Sequence, residues 1–139
     1  MTSSSEQGER MVASVHLRGV QGYQVEVRAR THAVRADEPP ERGGTDTGPA
    51  PFEHVLAGLA ACTAITLRMY ADRKGWALGE VRVDARLFEA GEARRVERTL
   101  RFGAPLDEAQ RAKLLEIADR TPVTRALRDG LPIATAVGR

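Results

Sequence analysis

Residues 52–73 read FEHVLAGLAACTAITLRMYADR, and the fold turns on this stretch. It is rich in Ala and Leu and apolar on nearly every side through its middle, the pattern of a helix buried on most faces. Gly75 stops it, as glycine does just beyond a helix end. At about 1.5 Å per residue the helix is roughly 30 Å long, enough to cross a small domain. One thin sheet cannot cover such a helix, so a second subunit is expected to supply part of its cover.

Upstream, residues 37–51 carry Pro39, Pro40, Gly43, Gly44, Gly48, Pro49 and Pro51. No regular element is expected there; it reads as a long loop, and long loops in compact domains are often functional. Before it, residues 11–17 read as a strand and 19–22 as a turn with a glycine at each end. Tyr23, Val25, Val27 and Ala29 then alternate with Gln24, Glu26, Arg28 and Arg30, a strand with one wet face. Residues 32–36 form a third strand.

Downstream, Val81, Val83, Ala85 and Leu87 mark a further strand, residues 90–93 a turn, and Val96, Leu100 and Phe102 one face of a returning strand in which Arg98 is the odd member. Residues 106–119 read as an amphipathic helix with Leu114, Leu115 and Ile117 in the core, joined by Ala118. Thr121 and Pro122 open a short helix, Thr121 as N-cap and Pro122 in the first turn, and Gly130 ends it. Residues 131–137 are expected to form a last strand. The order β-β-β-α-β-β-α-α-β is α+β. Residues 1–10 are polar and read as a disordered tail, leaving 11–139 as one domain.

The chain has 139 residues, with 21 basic and 19 acidic side chains. The two signs are interleaved and form no stripe, which argues against nucleic acid as a partner. No uninterrupted run approaches the ~20 apolar residues of a membrane span, and the first residues lack the apolar core of a signal peptide. A single cysteine can form no internal disulfide, so the expected location is cytoplasmic.

Cys62, flanked by Ala60, Ala61, Thr63 and Ala64, is the first candidate for chemistry. Free cysteine often packs as a small hydrophobe. A reactive one needs positive charge, a donor or a helix N-terminus nearby, and its sequence neighbours supply none, so activation must come from a distant arginine. Glu53 is the second candidate. A carboxylate in the first turn of a helix is favoured by the macrodipole alone. Nine residues at about 100° each place Glu53 and Cys62 on opposite faces of a straight helix. His16, His32 and His54 have no metal-ligand spacing with each other or with Cys62, so neither metal nor cofactor is expected. The GGTDTGP run lacks the GK[ST] of a phosphate loop, and no G-x-S-x-G elbow occurs.

The run HAVRADEPPERGGTDTGPAPFEHVLAGLAACTAITLRMYADRKGW, residues 32–76, resembles the signature region of the OsmC/Ohr family, in the branch with a DEP…GG-D-GP…ACTA…RMYA-RKGW pattern. The later run EAQRAKLLEIADRTPVTRAL resembles that branch's second helical motif. The resemblance implies an intertwined homodimer with two long helices back to back and active sites at the subunit interface. It implies that a cysteine attacks the peroxide O–O bond, and that a second cysteine then forms a disulfide opened by a small dithiol or lipoyl-type reductant. Carried over, Cys62 matches the attacking cysteine and Glu53 the helix-start acid. In the organic-hydroperoxide branch that acid stands ten residues before the cysteine, where this chain has Phe52. Arg18 matches the activating arginine, with Arg42 as rival. Thr121 stands at the second cysteine and Thr124 at the histidine of the same motif, so an internal disulfide is impossible in this chain, a departure that bears on the two-cysteine cycle itself and not merely its rate.

Two functions follow. One is thiol-dependent reduction of organic hydroperoxides at Cys62, resolved by an external thiol. The alternative is a catalytically degenerate OsmC-fold protein that binds a small hydrophobic ligand or has a structural role. A redox sensor acting through Cys62 is a third possibility and lacks an advertised partner surface.

Overall fold

The computed structural model describes residues 8–139, so the expected tail falls mostly outside it; residues 8–10 are exposed and irregular. The chain divides into two compact units, the first ending at His54 and the second spanning Val55–Arg139.

The first unit is built on an antiparallel meander of β1 (His16–Gly19), β2 (Val25–Ala29) and β3 (His32–Ala36), in the order β1-β2-β3. β2 keeps the alternation expected of it, with Val25, Val27 and Ala29 half-buried and Glu26 and Arg28 exposed. β1 lies later than the sequence placed it. Pairing Leu17 with Val27 and Gly19 with Val25 fixes the strand at 16–19, and residues 11–15 have no partner strand among the described residues. Hydrogen bonding to a neighbour decides a strand's extent, and apolar residues alone do not.

The Pro/Gly-rich segment that follows is ordered around one carboxylate. Asp37 is 2% exposed and accepts hydrogen bonds from Glu38 N at 2.7 Å, Thr45 Oγ1 at 2.9 Å, Thr47 N at 3.0 Å and Thr47 Oγ1 at 2.7 Å. Its own N–H donates to Pro49 O. Two glycines allow this closure. A Cβ on Gly44 would stand 2.0 Å from Glu38 O, and one on Gly48 2.4 Å from Arg35 O. The segment also contains a single 3-10 turn, Pro40–Arg42, where no regular element was expected. Proline fits its first position, where the missing N–H is no loss.

α1 (Pro51–Lys74) begins in the first unit and runs through the second. Leu59, Thr63, Leu67 and Ala71 are its buried stripe, one residue per turn. On the opposite side, Ile65 is 54% and Met69 56% exposed. By length and mean hydropathy α1 also meets the requirements of a membrane span, although polar residues such as Thr63 and Thr66 interrupt the run. Its buried stripe instead packs into a protein core.

That core belongs to the second unit. Leu67, Ala71, Leu78 and Leu114 are its buried centre, with Tyr70, Trp76, Leu100, Phe102 and Ile117 packed around them. β4 (Val81–Ala90) and β5 (Ala93–Phe102) form a hairpin closed by Gly91 and Glu92, with Gly91 at φ 63°. α2 (Glu108–Ala118) opens on a reciprocal capping box between Asp107 and Gln110. α3 (Pro122–Asp129) follows. Within α2, Leu114 and Ala118 are buried as expected, but Leu115 is 60% exposed. It sits 100° round the helix from Leu114 and so off the buried face.

The element order agrees with expectation through α3. The last strand does not form in the single chain: residues 131–139 are irregular, with Leu131 69%, Ile133 88% and Val137 98% exposed. A strand requires a paired neighbour, and this segment has none among the described residues.

Asp37 and its glycines give two expectations. Its four donors hold its carboxyl well below the usual carboxylate range, the Thr47 side chain contributing most. A depressed folded-state value adds stability at higher pH and loses it as pH falls below the unfolded value of about 4. Acid unfolding followed by circular dichroism should therefore show a loss below about pH 4 in the wild type that is smaller in Asp37→Asn, which is already less stable at pH 7. Gly48→Ala should lower stability by about 2 kcal/mol through overpacking, read from the urea midpoint.

Candidate active site

Cys62 lies mid-way along α1, a free thiol of intermediate exposure. The next residue, Thr63, is fully buried. Its hydroxyl donates to Leu59 O at 2.7 Å, one turn back, and accepts from Arg98 Nη1 at 2.9 Å. Arg98 comes from β5, where its neighbours along the strand face, Leu100 and Phe102, pack on the core.

The same Nη1 donates to Thr124 Oγ1 at 2.8 Å, and Nη2 donates to Ala118 O at 3.2 Å. Thr124 Oγ1 lies 2.6 Å from Thr121 Oγ1 and donates to Ala118 O at 3.2 Å. Thr121 is 1% and Thr124 8% exposed. One guanidinium thus ties the turn of α1 that carries Cys62 to the corner between α2 and α3.

The Arg98 side chain is 14% exposed. Its nearest carboxylate, Asp119 Oδ1, is 3.5 Å away on a side chain 68% exposed, where an ion pair is weak. Hydrogen bonds to neutral oxygens therefore do most of the work of holding this charge. No polar side-chain atom buried in the described residues lacks a partner, so the network is closed.

Thr121 occupies the N-cap position of α3, with φ −67° and ψ 152°, as the sequence indicated. Its hydroxyl does not cap the helix, however; it is turned to Thr124 and Ala118 O. Hydroxyls at 121 and 124 fill this corner with groups that have no sulfur redox chemistry. Arg98 was visible in the sequence only as a charge on an apolar strand face. That irregularity was the one available signal for the network.

The other sequence candidates belong to the first unit. Glu53 Oε1 accepts from Ala50 N at 2.7 Å, so its carboxylate caps the start of α1. Arg18 lies on β1 opposite Glu26 of β2 and is exposed. Arg42 ends the 3-10 turn and lines a recess with Tyr23, Asp37 and Glu38. His54 Nε2 bonds Arg35 O at 3.1 Å. No group of three His, Cys, Asp or Glu side chains able to hold a metal ion occurs among the described residues.

A family model described as OsmC-like protein matches residues 44–136. The chain belongs to the OsmC family. No curated protein matches it. Solved structures of the same fold include a protein of Psychrobacter arcticus described as an osmotic stress induced and detoxification response protein. It is 15% identical with a TM-score of 0.75, over 85% of this chain and 90% of that one. An organic hydroperoxide resistance protein of Legionella pneumophila is 19% identical with a TM-score of 0.65, over 87% and 92%. The organic hydroperoxide resistance protein OhrB of Bacillus subtilis is 21% identical with a TM-score of 0.59, over 85% and 91%. These likenesses establish the α+β OsmC fold for this chain.

In this OsmC-family chain the Arg98 network should be a main anchor of the α1–α2–α3 junction. Thr124→Val keeps the side chain's shape and leaves a guanidinium N–H and the Thr121 hydroxyl short of a partner. It should cost about 1–3 kcal/mol in urea unfolding, whereas Asp119→Asn, at the exposed rim, should cost less than about 1 kcal/mol.

Proposed function

We propose that this protein defends against organic hydroperoxides by reducing them at Cys62, with an external thiol as the resolving partner. The observation that carries the reading is a free, half-exposed thiol on the central helix of an OsmC fold, with threonine at 121 inside a closed hydroxyl network.

In the first step the Cys62 thiolate attacks the outer oxygen of ROOH. An S–O bond forms, the O–O bond breaks, and the alkoxide leaves as ROH after taking up a proton. Cys62 is oxidised to sulfenic acid and the peroxide is reduced. An external thiol then attacks the sulfenic sulfur and releases water, giving a mixed disulfide. A second thiolate opens that disulfide and regenerates Cys62. The reductant is a small dithiol or lipoyl-type thiol.

In this reading residues 11–139 are one OsmC-like domain that acts as a cytoplasmic homodimer. The open side of α1 at Ile65 and Met69 is the surface a second copy covers, and the site is completed at that interface by Arg18 and Glu53. Arg18 stabilises the developing charge and Glu53 orients it. Arg42 is the alternative cation.

Three measurements test this. Cumene hydroperoxide consumption in the presence of dithiothreitol or dihydrolipoamide should fall in Cys62→Ser to the rate of the thiol alone; an unchanged rate overturns the proposal. Arg18→Met should lower the rate about a hundredfold if its charge stabilises the transition state. Met69→Glu should shift the protein from dimer to monomer in sedimentation velocity, and a wild type that is already monomeric removes the interface from the scheme.

A further inference from the structure

Residues 131–137 have the pattern of a strand and no strand to pair with. Leu131, Ile133, Thr135 and Val137 alternate with Pro132, Ala134 and Ala136, and the three apolar members of the first set stand open to solvent. Such alternation suits a strand with one buried face.

The same unit carries an open sheet edge. β5 pairs only with β4 among the described residues. Continuing the register of the hairpin sets Glu80 opposite Gly103, and Gly103 N donates to Glu80 O at 2.8 Å. Bonded and non-bonded pairs alternate along an antiparallel ladder. Thr99 and Arg101 therefore turn their backbone groups to β4, and Arg98, Leu100 and Phe102 turn theirs to the open edge. That edge borders a groove of about 610 Å³ between β5 and α2, lined by every residue from 98 to 102 and by Leu106 and Leu115. A row of free N–H and C=O groups beside an apolar trough is a template for one more strand.

The segment itself selects the sense of pairing. In an antiparallel pair, residues bonded across the ladder stand opposite each other and share a face of the sheet. With Leu131, Ile133, Thr135 and Val137 on the face of Leu100 and Phe102, their backbone groups meet those of Arg98, Leu100 and Phe102. Pro132, which has no N–H, then points to the outer edge, where a strand proline is tolerated. A parallel strand with the same buried face would aim Pro132 at β5 and lose a bond. In the single chain the segment remains irregular and exposed while the edge of β5 stays open. Exchange between two copies satisfies both, each copy giving one strand and receiving one.

We propose that residues 131–137 of one copy add as an antiparallel strand to the open edge of β5 in a second copy, reciprocally, with Leu131, Ile133 and Val137 covering Leu106 and Leu115. The inference rests on the homodimer proposed above and not on the chemistry at Cys62.

Amide hydrogen exchange on the full chain, read by NMR, tests this. In the wild type the N–H groups of Arg98, Leu100 and Phe102 are expected to exchange as slowly as those of Thr99 and Arg101. In a full-length variant carrying Ile133→Pro and Thr135→Pro, which removes two donors to β5, the first three should exchange about a hundredfold faster and the other two should change little. Both substituted positions are exposed, so the variant is expected to fold, which circular dichroism checks; Ile133→Asp with Val137→Asp gives the same reading if it does not. Isotope-labelled variant refolded with excess unlabelled wild type should regain slow exchange at its own Arg98, Leu100 and Phe102, because the competent strand then belongs to the other copy. Fast exchange at these three amides in a wild type that sediments as a dimer overturns the strand exchange and leaves the dimer standing, whereas a monomeric wild type overturns both. Slow exchange that the labelled variant does not regain overturns it as well, since the chain would then pair with its own β5. Slow exchange that the variant never loses also overturns it, since another segment would cover the edge.

Discussion

The guanidinium of Arg98 is the point on which the second unit depends. A buried cation is costly unless its donors are satisfied, and here they are satisfied by Thr63 on α1, Thr124 on α3 and a carbonyl at the end of α2. Elements far apart in the chain therefore share one set of hydrogen bonds. Apolar packing of Leu67, Leu78 and Leu114 brings these elements together without a strong directional preference. The polar network supplies the direction and fixes the turn that presents Cys62.

The first unit uses a carboxylate in the same way. Asp37 gathers donors from residues up to ten positions away and converts a segment dense in proline and glycine into an ordered loop. Its motif thus has a local structural explanation that does not depend on chemistry at a site. Gly44 and Gly48 are required by close backbone approach, and neither is at a positive φ.

Thr121 and Thr124 connect stability to chemistry. Where the family resemblance places a cysteine and a histidine, this chain has two hydroxyls bonded to each other, that of Thr124 also accepting from a fixed arginine. Such a corner is suited to rigidity. Any sulfur cycle at Cys62 must find its second thiol elsewhere, which makes the identity of the external reductant the central biochemical variable of the proposed function.

The long helix, the hairpin of β4 and β5, the presence of α2, the start of α3 at Thr121 and Pro122 and the α+β order were legible in the sequence because each rests on local rules: apolar periodicity, a turn between strands, an N-cap position followed by proline; the cap that starts α2 at Asp107 was not read. Cys62 was legible as the only thiol. The late start of β1 and the missing strand at 131–137 were not, because strand extent depends on partners that local pattern does not name. The exposure of Leu115 was misjudged because an apolar residue beside a buried one need not share its face. Only the tertiary structure joined Arg98 to Thr63 and Thr124, and through Thr124 to Thr121. Hydrogen bonds between residues 26 to 35 positions apart leave no periodic trace in a sequence, and a charged residue on an apolar strand declares its purpose only when its acceptors are in place.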